Sequence, residues 1–340
     1  MQTQMSLETR EAPGLIANYL TSMQAERLRV IQAIRTQPIR MAVSFARGSS
    51  DHAATLAHHL LKARYGIWSF SCPPSQLKAG FERLDFKNTL AFAISQSGQS
   101  TDLLDCLNLS RRKGAFTLAI LNAIEAPMHQ AAEWVWPIGA GVERSVAATK
   151  SFICSLVSVL DFVGTWQNDD TVKASLGTLP THLERALEIQ WDDLIEPLAH
   201  AETLLLVSRG PMMTALEEAA LKFKETCQIH ATAYSAAEFQ HGPLALVGQK
   251  ANVWVIAPPG PDAAGLIALA SRLRQSGAKV TLFTANTAAR IGTSFHGTGD
   301  TYLDVISWIT SLYLYADHLA AARGLSPDAP PQLQKVTITS

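Results

Sequence analysis

Short, continuous apolar runs alternate with segments of helical length along most of this chain. The clearest runs occupy residues 41–46, 89–94, 116–121, 203–208, 252–257 and 279–285. Strands that helices cover on both faces show such unbroken runs, whereas half-exposed strands alternate apolar and polar residues. The pattern therefore predicts an α/β fold in which parallel sheets are flanked by helices.

The apolar runs of the first half recur in the second half at a nearly constant spacing. The first run leads into Arg47 and its counterpart leads into Arg209. The second run begins at Thr89 and recurs from Asn252, while the third follows Gly114 and recurs after Gly277. The spacing is identical in the last two pairs and almost the same in the first. Three matches at one spacing indicate an internal duplication.

The duplication predicts tandem domains followed by a short tail: residues 1–180, 181–323 and 324–340. Each domain opens with an amphipathic helix pattern, at residues 15–34 and at residues 182–199. The Gly-Thr-Leu-Pro sequence at 177–180 is typical of a turn that separates the two domains. The tail is rich in proline and has no helical pattern.

Charge and hydropathy narrow the class of protein. The chain has 28 basic and 29 acidic residues, a net charge of −1, and no basic cluster that would bind nucleic acid. The N-terminal segment lacks the pattern of a signal peptide, and the longest apolar tract, residues 151–166, contains Ser155, Ser158 and Asp161. We therefore expect a cytoplasmic protein that binds neither nucleic acid nor membrane.

The cysteines and clustered histidines do not form a metal motif. Cys72, Cys106, Cys154 and Cys227 lie too far apart along the chain for zinc spacing, and we interpret them as core residues. His52, His58 and His59 fall on a predicted helix without the HExxH arrangement. We expect no metal and no cofactor.

A run of hydroxyl and amide side chains follows the second strand. Residues 95–101 read Ser-Gln-Ser-Gly-Gln-Ser-Thr, and a helix pattern begins after them. Free amides at a helix N-terminus attract anions, so a phosphate would bind well at this segment. No nucleotide-binding glycine motif occurs here, which favours a phosphomonoester. The alternative is an ordinary helix cap formed by one of these hydroxyls. Ser49 and Ser50, after the first strand, form a second hydroxyl loop.

A helix pattern in the second half carries three charges on one face. Glu218, Lys222 and Glu225 are spaced by four and three residues, which places them within about 60° of each other around a helix. The rest of this helix is mostly apolar, so the charges need partners or a polar pocket. The alternative is an exposed stripe in which Glu218 and Lys222 form an ordinary surface pair.

His241 lies where regular structure should end. It is followed by Gly242 and Pro243, and a proline disfavours helix at the residue before it. Loops of this kind often carry a working imidazole, although a single histidine is more often structural.

Taken in order, these blocks resemble the SIS sugar isomerase family, in particular the isomerase half of glucosamine-6-phosphate synthase and its deaminase-like relatives. The resemblance spans nearly the whole chain and rests on residues 48–50, 95–98, 146–150, 221–225 and 241–246. The tail residues Asp328, Pro330, Leu333 and Lys335 follow the family pattern as well. The resemblance implies two tandem SIS domains, each a parallel sheet flanked by helices.

The resemblance also implies a role for each matching residue. The phosphate cradle would consist of Ser50, Ser95, Gln96, Ser97 and Ser100. Other substrate contacts would come from Ser49, from the backbone of Val146 and from Glu218. The catalytic residues would be Glu225, which moves a proton between C1 and C2, His241, which opens the sugar ring, and Lys222 and Lys335 close to the open-chain sugar. The tail would cover the active site.

In the family, the ring-opening histidine comes from the partner subunit, so the resemblance implies a homodimer. The chain departs from the synthase at Gln99, Ser100 and Ala148, where the synthase has Glu, Thr and Ser, so the sugar pocket is expected to differ in detail. About forty residues precede the first SIS strand, which leaves no room for a glutaminase domain, and glutamine is not expected to supply nitrogen.

The resemblance and these departures together predict an amino sugar phosphate deaminase. The expected reaction converts glucosamine 6-phosphate to fructose 6-phosphate and ammonia. The alternatives are a fructosamine-6-phosphate deglycase and a galactosamine-6-phosphate deaminase. A sugar-phosphate sensor without catalysis is the other functional class, and such regulators usually carry a helix-turn-helix domain that this chain does not show.

Overall fold

The structure is a computed structural model that describes residues 2–248, 251–285 and 292–335. The chain forms two compact units, each with its own sheet. Among the described residues, the first unit contains residues 12–143, 150–180 and 334–335, and the second contains residues 2–11, 144–149, 181–248, 251–285 and 292–333. The tail residues 336–340, part of the predicted tail at 324–340, lie outside the described residues.

The strands of the first unit form one parallel sheet. They are β1 (Met41–Phe45), β2 (Trp68–Ser71), β3 (Thr89–Ser95), β4 (Phe116–Leu121) and β5 (Trp134–Pro137). Their order is β2-β1-β3-β4-β5. The chain leaves β1 toward one edge of the sheet and leaves β3 toward the other. The carboxyl ends of β1 and β3 therefore frame the topological switch point, where open α/β sheets bind ligands.

Helices cover both faces of this sheet. In chain order they are α1 (Gln4–Thr21), α2 (Gln24–Arg35), α3 (Ser49–Tyr65), α4 (Pro74–Gly80), α5 (Thr101–Arg112), α6 (Met128–Ala131), α7 (Lys150–Trp166) and α8 (Asp170–Ala186), of which α1 and α8 each contribute residues to both units. Leu103 and Leu107 of α5 pack on Val43 and Phe45 of β1. On the opposite face, His58 of α3 contacts β1 and β2.

The second unit repeats this topology. Its strands are β6 (Thr203–Ser208), β7 (His230–Ser235), β8 (Asn252–Ala257), β9 (Lys279–Thr284) and β10 (Thr293–Ser294). They are all parallel, in the order β7-β6-β8-β9-β10. Strands β6, β8 and β9 are the three runs that the constant spacing predicts as counterparts of β1, β3 and β4. The predicted duplication and α/β class are therefore confirmed.

The helices of the second unit sandwich its sheet as well. They are α9 (Ile195–Ala199), α10 (Met212–Cys227), α11 (Ala236–Gln240), α12 (Ala263–Gln275) and α13 (Thr301–Ala322). The α12 helix packs Leu266 and Leu269 on one face of the sheet. The other face carries an aromatic cluster in which Trp254 of β8 contacts Phe223 of α10 and Tyr315 of α13. Tight aromatic packing of this kind holds α10 in place on the sheet.

The predicted helix at 15–34 is wrong, because the structure breaks it in two. Met23 adopts a left-handed conformation with φ 50°, between α1 and α2. The Arg27 guanidinium reaches back to the carbonyl oxygens of Tyr19 and Ser22 at the end of α1 and forms a 2.6 Å ion pair with Asp161. This buried arginine stabilises the break because it binds carbonyl oxygens at the C-terminal end of α1, where the intrahelical hydrogen bonds stop.

The predicted turn at 177–180 is also wrong, since α8 continues through it. Pro180 lies inside the helix. Leu176, Leu179 and Leu183 are buried at helical spacing, and this packing outweighs the backbone hydrogen bond that a proline removes. The predicted helix at 182–199 is not continuous, because α8 ends at Ala186 and α9 begins only at Ile195.

Three further findings concern membrane spans, cysteines and metal sites. None of the described helices is long and apolar enough to cross a membrane. All four cysteines are free thiols, and three of them are buried. Within the described ranges, no group of three or more His, Cys, Asp or Glu side chains is arranged to hold a metal ion.

Burial of His58 makes the stability of the first unit depend on pH. Its ring nitrogens bond to the hydroxyl of Ser44, at 2.9 Å, and to that of Ser69, at 2.5 Å. Burial, helped by the nearby charge of Lys62, lowers the pKa of His58 to about 3. An unfolded histidine has a pKa near 6.5, so below that pH the unfolded chain binds a proton at this histidine and the folded chain does not. Protonation therefore favours the unfolded state as the pH falls.

We predict that this site removes about 1.4 kcal/mol of folding free energy for each pH unit below about 6.5, continuing down to the folded pKa. Urea unfolding at pH 7.5 and pH 5 measures the effect. A His58→Gln variant should lose less stability across this interval than the wild type, although it is weaker at pH 7.5. The exposed His129 provides the matched control, and His129→Gln should keep the wild-type difference. Equal slopes for His58→Gln and the wild type would disprove the assignment.

Candidate active site

Two hydroxyl loops lie side by side at the switch point of the first sheet. Strands β1 and β3 are parallel neighbours, with Phe45 opposite Ala93. Ser49 and Ser50 open α3 directly after β1, and residues 95–100 lead from β3 into α5. Both helices therefore point their N-termini toward the same edge, where free amides and the helix dipole favour an anion.

The loop between β3 and α5 has a shape that only glycine allows at its centre. Gly98 has φ +64°, and a Cβ added there would lie 2.5 Å from the Cβ of Ala126. The Ser95 hydroxyl accepts a hydrogen bond from the Gly98 amide at 2.9 Å, and the Gly98 carbonyl accepts one from Met128 at 3.1 Å. The loop is thus held by its own serine and by the segment after β4.

Ser100 is the residue of this loop that could form an ordinary helix cap. It occupies the N-cap position of α5, yet its side chain does not bond to the amides of the helix. Gln96, Ser97 and Ser100 are partly exposed at the sheet edge. The Ser100 hydroxyl is therefore not the cap of α5, and a phosphate site in residues 95–101 stays a prediction. We call residues 95–101 the phosphate loop.

An ion pair that the sequence analysis missed ties the two hydroxyl loops together. Arg47 follows β1, and its guanidinium binds the carboxylate of Asp102 in the first turn of α5. The Arg47 Nε lies 2.8 Å from Asp102 Oδ2. In the second unit, Arg209 binds Asp262 at 3.1 Å in the corresponding place. The segment after β8 reads Ala-Pro-Pro-Gly-Pro and has no hydroxyls. The duplicated ion pair is structural, whereas the hydroxyl loop is specific to the first unit.

The three charges on α10 form a buried array rather than an exposed stripe. Lys222 contacts the Glu218 carboxylate at 3.4 Å and also binds that of Glu225. The side chains of Glu218 and Lys222 are 0% and 1% exposed, whereas that of Glu225 is 21% exposed. Burial of this kind requires pairing, because an isolated charge would be very costly in the interior. Glu225 is thus the solvent-facing end of an anchored array.

The array extends to a residue that the sequence offered no reason to select. Tyr313 of α13 is fully buried, and its hydroxyl donates to the same Glu218 oxygen at 3.1 Å. It lies far from Glu218 along the chain, inside an apolar helix pattern. Only the packing of α13 on α10 brings the two together.

His241 lies directly after α11, in the second unit. The short helix is capped at its start by the Ser235 hydroxyl, which accepts from the Glu238 amide, and it ends at Gln240. The Gln240 side chain is held at both ends, by the carbonyl of Ala236 and by Arg272. His241 is exposed, as predicted for a residue outside regular structure. In the described part of the chain, its ring makes no bond to the α10 array.

Lys335 forms an ion pair with the buried Glu143, and the sequence analysis missed Glu143. The distance between Lys335 Nζ and Glu143 Oε2 is 2.7 Å, and the Glu143 carboxylate also accepts from the backbone and the hydroxyl of Ser151. Burial opposes ionisation of Glu143, but Lys335 and the hydrogen bonds outweigh it and hold the pKa of Glu143 below its usual value. The sequence signal that could have identified Glu143 is its acidic side chain three positions before Val146.

Val146 lies in the long loop between β5 and α7. The loop has no helix or strand over residues 138–149, and Val146 is partly exposed. The structure places its backbone next to Arg144 and Ser145, whose amides bond to the side chain of Glu8.

A model of the SIS domain matches residues 39–163 and 197–301, one segment in each half of the chain. The chain belongs to the SIS domain family. Its matched segments include the phosphate loop, α10 and His241, while Glu8 and Lys335 lie outside them. The SIS fold predicted from the resemblance is therefore confirmed.

Similarity to a curated relative extends over nearly the whole of this SIS protein. The glutamine–fructose-6-phosphate aminotransferase (isomerizing) of Methanothermobacter thermautotrophicus is 31% identical over 97% of this chain and 56% of its own length. This chain spans about half the length of the curated relatives that it matches.

Two solved structures share the fold over their full length. A candidate phosphosugar isomerase from Silicibacter pomeroyi has a TM-score of 0.89 and 32% identity, covering 96% of this chain and 100% of its own. The glucosamine-6-phosphate deaminase of Thermotoga maritima has a TM-score of 0.76 and 18% identity, covering 99% of this chain and 100% of its own.

We predict that Lys335→Met destabilises the protein by about 2–3 kcal/mol at pH 7.5, because it leaves the buried Glu143 carboxylate without its cation. The stabilisation that Lys335 gives is present above the usual carboxyl pKa and is lost as the pH falls. The destabilisation should therefore be smaller at pH 3.5, below the usual carboxyl pKa, than at pH 7.5. Thermal unfolding at both pH values measures it, and Lys335→Arg is the control that keeps the charge. Identical melting temperatures for Lys335→Met and the wild type at pH 7.5 would show that the ion pair contributes nothing.

Proposed function

We propose that this SIS protein is an enzyme acting on sugar phosphates, and specifically a glucosamine-6-phosphate deaminase. The observation that carries the proposal is the array on α10, in which a partly exposed carboxylate, Glu225, is anchored by a buried ammonium, Lys222. Such a carboxylate can remove and return a proton at adjacent carbons, which is the central step of aldose–ketose conversion.

The reaction balances with water as the co-substrate. His241 assists opening of the sugar ring, Glu225 takes the proton from C2, and the same carboxyl returns a proton to C1. The C2 amine becomes an imine, and water hydrolyses it to the C2 ketone of fructose 6-phosphate and free ammonia. Lys222 holds the Glu225 carboxylate in place before the first proton transfer.

The phosphate loop accounts for the phosphate of this substrate. Its serines, together with Ser49 and Ser50, present hydroxyls beside two helix N-termini, and the loop carries no nucleotide-binding motif. A sugar phosphomonoester fits this chemistry better than a nucleotide. Glu218 is fully buried in the array, so its role in this proposal is to hold Lys222.

The relatives support the class of reaction. The names of the similar proteins describe an isomerising aminotransferase of fructose 6-phosphate, a phosphosugar isomerase and a glucosamine-6-phosphate deaminase. All three concern isomerisation or amine exchange on a sugar phosphate. The release of ammonia, the C4 configuration of the substrate, and a homodimer that shares His241 are the finer parts of the proposal.

The first test is release of ammonia from a panel of amino sugar phosphates. Glucosamine 6-phosphate should give ammonia and fructose 6-phosphate in equal amounts, without added glutamine. Preferential cleavage of fructosamine 6-phosphates would identify a deglycase, and preferential cleavage of galactosamine 6-phosphate would identify the C4 epimer as substrate. Binding without turnover across the panel would indicate a sensor and contradict the proposed reaction.

The second test concerns the proton shuttle. Glu225→Gln keeps the size of the side chain but removes the base, so turnover should fall by roughly 10²–10⁴-fold while binding survives. Solvent deuterium at C1 of the product should decline in parallel. Glu217→Gln makes the same charge change on the same helix outside the array and should remain near wild type. Near-normal kcat in Glu225→Gln would make Glu238, close to His241, the next candidate base.

The third test concerns the phosphate loop. Ser97→Ala removes one hydroxyl that would bond to the phosphate, so KM for glucosamine 6-phosphate should rise about 10- to 150-fold. The control is Ser175→Ala on α8, far along the chain from the loop. Steady-state kinetics with phosphorylated and unphosphorylated glucosamine measure the effect. Equal activity of the wild type on both sugars would exclude the phosphate assignment.

A further inference from the structure

A buried glutamate near the N-terminus contacts the loop that carries Val146. Glu8 lies on α1 and is 1% exposed. Its two carboxylate oxygens accept hydrogen bonds from the backbone amides of Arg144, at 2.6 Å, and Ser145, at 3.1 Å. A buried carboxylate with two backbone donors forms strong, charge-assisted bonds whose geometry is narrowly defined.

The part of α1 that carries Glu8 is itself anchored. The Asp328 carboxylate accepts hydrogen bonds from the amides of Gln4 and Met5, both at 2.7 Å, at the start of the helix. Thr3 donates to Asp317 of α13 at 2.5 Å. The side chain of Met5 is fully buried. Glu8 therefore extends from a rigid support rather than from a frayed terminus.

The contacted loop needs such support, because residues 138–149 form neither helix nor strand. Side chains hold it at several points. Asn122 bonds to the backbone of Ala140 and Gly141, and Glu143 bonds to Ser151. Glu8 holds the two residues directly before Val146, so it sets the direction in which the Val146 backbone continues.

We propose that Glu8 is a positioning residue of the active site, which orients the Val146 backbone toward the sugar. The inference rests on the proposed function, in which that backbone contacts the substrate. Glu8 and its anchor Asp328 lie outside both matched SIS segments, so residues near the two ends of the chain shape a loop that belongs to the first segment. Glu8 itself does not touch the substrate.

The test compares two matched substitutions on α1. Glu8→Gln keeps the shape of the side chain, but its amide nitrogen faces a backbone N–H, so one of the two bonds is lost. Glu11→Gln makes the same change at an exposed position of the same helix. Glu8→Asp, a shorter carboxylate, serves as the second variant should Glu8→Gln fold poorly.

Three measurements are made on each variant. Hydrogen exchange followed by mass spectrometry reports the amides of residues 138–149. Steady-state kinetics with glucosamine 6-phosphate separate KM from kcat. Calorimetry measures binding of glucitol 6-phosphate, an open-chain analogue that cannot react.

For Glu8→Gln we expect faster exchange in residues 138–149, a KM raised about 10- to 100-fold, and a similar loss of affinity for glucitol 6-phosphate, with kcat within about threefold of wild type. Glu8→Asp should lie between Glu8→Gln and wild type, and Glu11→Gln should match wild type. Faster exchange with unchanged KM and unchanged binding would overturn the inference, since Glu8 would then support only the loop. A wild-type protein that binds glucitol 6-phosphate but releases no ammonia would refute the deaminase reaction, while the binding comparison would still decide the role of Glu8.

Discussion

The order of strands in a parallel sheet imposes the constraint on which this protein depends. When the chain leaves two neighbouring strands toward opposite edges, no connection covers the gap between their carboxyl ends. In the first unit, β1 and β3 frame this gap, and the helices that follow them supply free amides there. The hydroxyls of the phosphate loop occupy the edge of the sheet where the backbone already favours an anion.

Comparison of the two units separates the features that the sheet requires from those that only the first unit has. Both units have the same strand order and the same arginine–aspartate pair at the switch point, Arg47 with Asp102 and Arg209 with Asp262. The first unit places a run of hydroxyls beside the pair, whereas the second places prolines and a glycine there. The ion pair therefore belongs to the architecture of the sheet, and the serines are particular to the first unit. The second unit instead carries the charged face of α10.

Buried charge explains why α10 carries a lysine between two glutamates. Lys222 is fully enclosed and requires anions within reach, and Glu218 and Glu225 supply them from the adjacent turns of the helix. Tyr313 then satisfies Glu218 from α13. Because each partner compensates the desolvation of the next, the array is rigid, and Glu225 is held at its exposed end. The same principle holds in the loops, where single buried carboxylates, Glu8 and Glu143, position segments that have no secondary structure.

The sequence by itself determined the α/β class, the duplication, the positions of the main strands, the phosphate loop and the charged face of α10. These features depend on periodicity and on neighbours within one or two turns, which a linear pattern records. The tertiary structure alone decided that α8 continues through Pro180, since the burial of Leu176, Leu179 and Leu183 outweighs the local turn signal. It also decided the partners of Glu8, Glu143 and Glu218, most of which come from distant parts of the chain. A buried charge takes its partner from whatever element packs against it, and that choice is made by the fold as a whole.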